Sequence, residues 1–462
     1  MLSATIRSEA YGDFWRPDQG LVQSDDQTGS FLAALFSGGD SRIAVDPMTG
    51  LNKYLCPPVP APELTCVSSC TASPISHRGF ERATAAFLHV AQQQSPRQRA
   101  HRLTSLRETV KARLLQYFGV GTIAQAILCP SGTDAMLTAA MLLAAERPGE
   151  ATTAILPSAS ETGTGVPMAA MCRVFDGPDT GRPLSDRVGT TVEIPLRTAD
   201  GVPRSEDAVN DAFAAATATA AGHVIVYLTH GTKTGLVAPV SPPRGVDVIV
   251  DACQGRITPK TVAAYIRQGW PVVVTGSKFF GGPAFSGVVL LPLVRSPRIA
   301  PDVLPSVSDD AAGLGTVLRW TAALATIDAF EPRAADMAGV LSRRVASAER
   351  ALESNPALVP IGGLRPNGSG WADQPSIFTF AVRDPMDHAR LLSAAELRPL
   401  YERLACMGVL LGQPVSVGSF GGLRVAIGAQ DLLDESGDGG LVRVFAAFEH
   451  AASSLRRIGG DR

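Results

Sequence analysis

Lysine is scarce in this 462-residue chain: Lys53, Lys111, Lys233, Lys260 and Lys278 are the only five, and the other 36 of its 41 basic residues are arginine. Arginine replaces lysine in most ion pairs but not in imine chemistry, which needs an amine, so each lysine merits attention. Charge of one sign is lacking too. The 41 basic residues face 43 acidic ones for a formal net charge of -2, which argues against a nucleic acid or an anionic membrane surface as principal partner. No apolar run reaches the roughly eighteen residues of a membrane span, and the opening MLSATIRSEAYGDFWRPDQG has no apolar leader segment. Seven scattered cysteines, odd in number, make no disulfide framework, and the spacing of Cys56, Cys66, Cys70 and His77 fits no common zinc pattern. These absences leave a soluble, cytoplasmic enzyme of small molecules as the expectation, with length enough for two domains.

What is present divides into three parts. Residues 1–75 are rich in Gly, Pro, Asp and Ser and read as an N-terminal arm, extended at LNKYLCPPVPAPE from Leu51 to Glu63. Within residues 76–310, helical patterns alternate with the short apolar runs AILC, TAILP, TVEIP, HVIVYL, DVIVD, PVVVTG and GVVLLP. Continuous β-branched runs between helices mean strands buried on both faces, hence an α/β domain with a mostly parallel sheet. Residues 311–462 carry long helical patterns near Leu314–Phe330 and Ala334–Leu352 and the strand-like SIFTFAV and LRVAIG. An amphipathic stretch from about Gly440 to Leu455 closes a smaller α+β domain.

Three segments carry chemistry. In AILCPSGTDAM a strand meets a helix through Pro130, Ser131, Gly132 and Thr133, and the N–H groups and dipole of such a helix start favour an anion; an ordinary capped turn with no ligand reads the same way. In VDVIVDACQGR a strand ends at Asp251, with Gln254 three residues on. A carboxylate there points into the crevice where α/β enzymes bind ligands, though a metal ligand, an ion-pair partner or a helix cap also fits. In PVVVTGSKFFGG, Lys278 follows a strand among glycines and phenylalanines, apolar surroundings in which the neutral amine needed for an imine becomes accessible. A phosphate cup, a carboxylate for a pyridinium nitrogen and an amine for an aldehyde together describe pyridoxal phosphate.

The arrangement resembles the fold-type I pyridoxal-phosphate enzymes and, among them, the class V aminotransferase and cysteine desulfurase superfamily, over roughly residues 75–455. The resemblance implies Lys278 as the Schiff-base lysine and Asp251 as the pyridinium partner. It implies Gln254 near the cofactor's phenolic oxygen and Ser131, Gly132, Thr133 and Ser277 around its phosphate. Thr232 in THGTKTGLVAP stands at the family's asparagine position, Gly315-Thr316 is similar to the pair that reaches the phosphate of a neighbouring subunit, and Arg424 in Gly422-Leu423-Arg424 looks like the arginine that grips the substrate carboxylate. A homodimer follows from the same resemblance. Three departures stand out. Ser277 replaces the histidine that often precedes the lysine. The segment SASETGTGVP offers only Glu161, Thr162 and Thr164 where a ring usually stacks on the cofactor, unless His230 moves in. GVLLGQPVSVGSFGGLR lacks the desulfurases' loop cysteine, and Cys406, upstream, reads as a buried structural thiol.

Asn52, Lys53 and Tyr54 could lie over an active site or form a surface turn, and Arg256 could be a ligand contact or a solvated helix-start residue. The expected activity is transamination of an amino acid through Lys278. The alternatives are β-elimination or C–S cleavage and, third, a non-catalytic cofactor-binding homologue. Arg424 disfavours decarboxylation, which wants the carboxylate poorly solvated and out of the ring plane.

Overall fold

In the computed structural model, residues 15–16, 20–21, 26–184, 189–295, 313–362, 370–434, 444 and 447 are described. All seven apolar runs are strands of one sheet. In spatial order these are Ala124–Cys129, Gly287–Pro292, Val272–Thr275, Asp247–Ala252, His223–His230, Thr152–Pro157 and Thr190–Ile194, with the two-residue Val237–Ala238 pairing beside His223–His230. The five from Val272–Thr275 to Thr190–Ile194 run parallel, and Gly287–Pro292 is antiparallel to both of its neighbours. Every residue of Val272–Thr275 and of Gly287–Pro292 is buried, as strands covered on both faces require.

Side chains alternate between two packed faces. On one, Ile225, Tyr227, Ile249, Val273 and Val289 meet Ala135, Met136, Ala139 and Leu143 of helix Gly132–Ala145. On the other, Leu228, Val248, Val250, Val272 and Val274 share a core with Val262 and Ile266 of helix Pro259–Arg267 and with Trp320 and Ile327 of helix Leu314–Phe330. Asp251, two residues beyond Ile249, falls on the first face and His230 on the second.

A second sheet has five strands in the order Leu358–Ile361, Ile377–Val382, Phe420–Ala426, Val409–Val417 and Thr65–Val67. It is antiparallel except for the last pair, in which Thr65–Val67 runs parallel to Val409–Leu411. Residues 1–75 are therefore not simply an arm: they carry a strand of this sheet and a helix, Asp26–Leu35, that packs on helix Leu314–Phe330 through Phe31 and Leu35. That long helix, expected with the second unit, packs on helices His77–Ala91 and Pro96–Tyr117 and so joins the larger sheet's layer. It is buried around nearly its whole circumference, as a helix inside a layered interior is. The expected boundary at residue 310 and the stretch Gly440–Leu455 lie outside the described residues, apart from positions 444 and 447.

Candidate active site

The site is assembled at the carboxyl ends of the central strands. Ser131 caps helix Gly132–Ala145: its Oγ accepts from the Asp134 N–H at 3.2 Å and donates to the Asp134 carboxylate at 2.6 Å, while its carbonyl accepts from Ala135 at 3.0 Å. Of the first-turn donors this leaves the N–H groups of Gly132 and Thr133, aimed outward at the positive end of the helix. A Cβ on Gly132 would lie 2.8 Å from Thr275 Cγ2 and 2.9 Å from Cys253 Sγ, so only glycine lets the turn lie against the exits of the two neighbouring strands. Burial raises the Asp134 carboxyl pKa, opposed by the hydrogen bond from Ser131.

Those exits are stapled together. Thr275 Oγ1 donates to the Cys253 carbonyl at 2.6 Å, and the Phe279 N–H donates to the Gln254 carbonyl at 3.3 Å, which fixes the Lys278 loop against the Asp251 strand. Asp251 is buried, and one carboxylate oxygen accepts from the Cys253 N–H at 3.0 Å. Among the described residues the Lys278 amine makes no hydrogen bond. Thr229, paired with Asp251 across the sheet, and Thr162 each hold a buried hydroxyl without a protein partner. An anion cup, a strand-end carboxylate, an unengaged amine and unsatisfied hydroxyls thus converge at one end of the sheet.

The second sheet closes over this end. Arg424 is buried and donates to the carbonyls of Gln413 and Lys233 and to Thr71 Oγ1, at 2.8–3.2 Å. Lys233 donates from Nζ to the Ala159 carbonyl at 2.8 Å and from its N–H to the Glu161 carbonyl at 2.7 Å. Burial, with Arg424 and Lys278 nearby, lowers the Lys233 amine to about 8. Glu161 is itself committed: Oε1 pairs with Arg197 at 2.7 Å, and both oxygens accept from Thr234 Oγ1.

Several expected groups have other work. Thr232 is buried as a turn residue, its hydroxyl accepting from the N–H groups of Thr234 and Leu236. Gln254 donates to the Cys70 carbonyl at 3.1 Å, which brings the N-terminal segment into the site. Ser277 is buried beside Lys278. Thr316 is completely buried in its own chain and accepts from Arg319, so it is not presented to a neighbouring subunit. His230 does not move in to stack: it lies on the opposite face, its Nδ1 3.1 Å from the Tyr265 hydroxyl, in a cavity of about 750 Å³ away from Lys278. Glu161 is locked to Arg197, Thr164 is exposed, and Thr162 remains the buried candidate of that loop. Cys406, expected to be buried, is exposed. Asn52 holds a turn by accepting from Tyr54 and Cys56, Lys53 is exposed, and Tyr54 packs toward Arg42. Arg256 is a structural tie rather than a ligand contact or a solvated residue, as all five of its N–H groups are engaged. Among the described residues no three His, Cys, Asp or Glu side chains are placed to hold a metal, and no described helix is long and apolar enough to cross a membrane. Lys233 and Thr71 were not singled out from sequence. Lys233 had one available signal, its scarcity as a residue type.

No protein-family model matches the sequence, and no curated protein matches it. Solved structures do. A cysteine desulfurase from Escherichia coli is 16% identical, with a TM-score of 0.53 over 85% of this chain and 95% of its own. The glutamate decarboxylase domain of a diaminobutyrate-pyruvate transaminase and decarboxylase from Vibrio parahaemolyticus is 15% identical, with a TM-score of 0.57 over 84% and 81%. A cystine C-S lyase is also 15% identical, with a TM-score of 0.56 over 83% and 97%.

Proposed function

We propose that this chain, built on the architecture of the fold-type I pyridoxal-phosphate enzymes, binds pyridoxal 5'-phosphate and transfers the amino group of an amino acid. The observation that carries the reading is the convergence of the Gly132-Thr133 helix start, Asp251 and the unengaged Lys278 amine, three groups complementary to a phosphate, a pyridinium nitrogen and an aldehyde. The orphan hydroxyls of Thr162 and Thr229 fit a ligand in that space. When bound, the group supplies an electron sink for bonds broken at the amino acid's α-carbon.

The protein's own part follows from its geometry. Gly132 and Thr133 would hold the phosphate, and Asp251 would keep the ring nitrogen protonated. Lys278, on a loop tied to the Asp251 strand, would carry a proton to and from the α-carbon. Arg424, buried, has four of its five N–H groups on neutral acceptors and no ion-pair partner among the described residues; the remaining Nη1 N–H would take the substrate's α-carboxylate. An arginine grip and one proton-carrying lysine suffice for amino transfer. A homodimer belongs to the proposal on the strength of the fold alone, since Thr316 faces its own chain.

Lys278→Ala tests the reading. The reconstituted wild type should show the imine absorbance near ~420 nm and pass to a ~330 nm form with an amino donor, and the variant should show neither. Retention of the ~420 nm band in the variant removes Lys278 from its role, and a wild type that never shifts with any amino acid removes the activity.

A further inference from the structure

Lys233 is not needed for the chemistry just described, yet it sits inside the site. Its backbone carbonyl accepts from Arg424 Nη1 at 3.1 Å, and its side chain donates to the Ala159 carbonyl at 2.8 Å. The guanidinium thus meets this residue at its carbonyl, and the ammonium at the end of its four-carbon stem meets a second carbonyl. Neither forms an ion pair among the described residues. The nearest carboxylate, Glu161, spends its oxygens on Arg197 and Thr234. Asp251 lies at the end of its strand with one oxygen bound to the Cys253 N–H. A buried cation without a counter-ion is costly unless a ligand supplies one.

We infer that Lys233 is a specificity-determining residue that binds a second carboxylate, so that the substrate is a dicarboxylic amino acid with its α-carboxylate on Arg424 and its side-chain carboxylate on Lys233. The Lys233 ammonium has three donors and the Ala159 carbonyl takes one, so two remain for a carboxylate. A neutral amino acid would leave the half-buried Lys233 charge with only the already engaged Glu161 carboxylate near it. Lys278 is the third cation of the cleft, and its amine is committed to the cofactor under the proposed function, on which this inference rests. The lowered Lys233 amine agrees with a cation waiting for an anion, since a bound carboxylate would draw its proton back.

Two measurements test this. In the reconstituted holoenzyme, glutamate, aspartate and alanine are titrated against the cofactor spectrum for the wild type, Lys233→Met and Lys233→Arg. The wild type should prefer an acidic amino acid to alanine, Lys233→Met should reduce that preference by ~10-fold or more, and Lys233→Arg should keep part of it. Equal affinity of the wild type for alanine and both acidic amino acids, or an unchanged preference in Lys233→Met, overturns the inference. The second measurement needs no cofactor: maleate should raise the melting temperature of the apo chain more than acetate at equal ionic strength, and Lys233→Met should abolish the difference. If the spectra show no bound cofactor while maleate behaves as expected, the proposed reaction fails and the two-carboxylate site stands. If maleate and acetate act alike on the wild type, the site itself fails.

Discussion

At the scale of single residues, burial decides what each charged group can do. Lys233 and His230 come from one turn and both lose proton affinity to burial, but they face different spaces. Lys233 looks toward Arg424 and Lys278, whereas His230 lies against Tyr265 on the far face of the sheet and is lowered to about 4. The sign follows from linkage. An unfolded histidine takes a proton below about 6.5, and the folded one resists until about 4. The protein should therefore lose stability across that window as the pH falls, by on the order of 2 kcal/mol from this residue. His230→Phe should flatten the fall of melting temperature between pH 6.5 and 4 relative to wild type, although the Tyr265 contact is lost at every pH. An unchanged difference between the two proteins across that window would show that His230 does not titrate there.

At the scale of elements, legibility tracked how each segment is buried. The strands inside the large sheet could be read because they are covered on both faces, which writes a continuous apolar run into the sequence, as in Val272–Thr275; the edge strand Thr190–Ile194 is largely uncovered. Thr65–Val67 could not be read: three residues joined to a sheet by pairing with Val409–Leu411 leave no periodic signature. Helix Leu314–Phe330 was visible as a helix, yet its place was not. Its mostly apolar sequence signals deep burial without saying between which layers. Within the site, Lys278 stood out because it follows a strand, whereas Lys233 in Gly231-Thr232-Lys233-Thr234 reads like any solvated turn lysine. Motif order also misplaced Thr316. Its hydroxyl accepts from Arg319, whose guanidinium also donates to the carbonyls of Leu35, Ser37, Gly38 and Phe285, tying helix Leu314–Phe330 to the end of helix Asp26–Leu35. Thr316→Val should accordingly cost about 1–2 kcal/mol in urea unfolding and change cofactor affinity less than twofold. A tenfold loss of cofactor affinity at unchanged stability would restore Thr316 to a neighbouring subunit's site.

At the scale of the whole molecule, the question is what holds the second sheet over the carboxyl ends of the first, since Arg424 reaches the site only if it does. Arg256 is the main tie. It leaves the large sheet just after Gln254 and donates to Ser376 Oγ at 2.8 Å and the Ile427 carbonyl at 3.0 Å on the second sheet. It also donates to Ser69 Oγ at 2.8 Å on the N-terminal segment, and to the carbonyl and side chain of Gln254. Its guanidinium lies 5.5 Å from the centre of the Phe279 ring, next to Lys278. Burial without a carboxylate partner lowers its pKa, so the tie consists of five directed hydrogen bonds rather than an ion pair. Removing it takes this donor from the Ile427 carbonyl, the Ser376 and Ser69 hydroxyls and the Gln254 side-chain oxygen, a loss on the order of 3 kcal/mol. Because three of the five bonds reach the second sheet or the N-terminal segment, Arg256→Met should split unfolding: one calorimetric transition in the wild type should become two, the lower belonging to the unit that carries Arg424. The same variant should bind amino acids less tightly than wild type while still taking up cofactor, since Gly132, Asp251 and Lys278 all lie on the large sheet's side. A single transition at the wild-type temperature would show that the docking rests on the apolar contacts and the Thr65–Val67 strand instead.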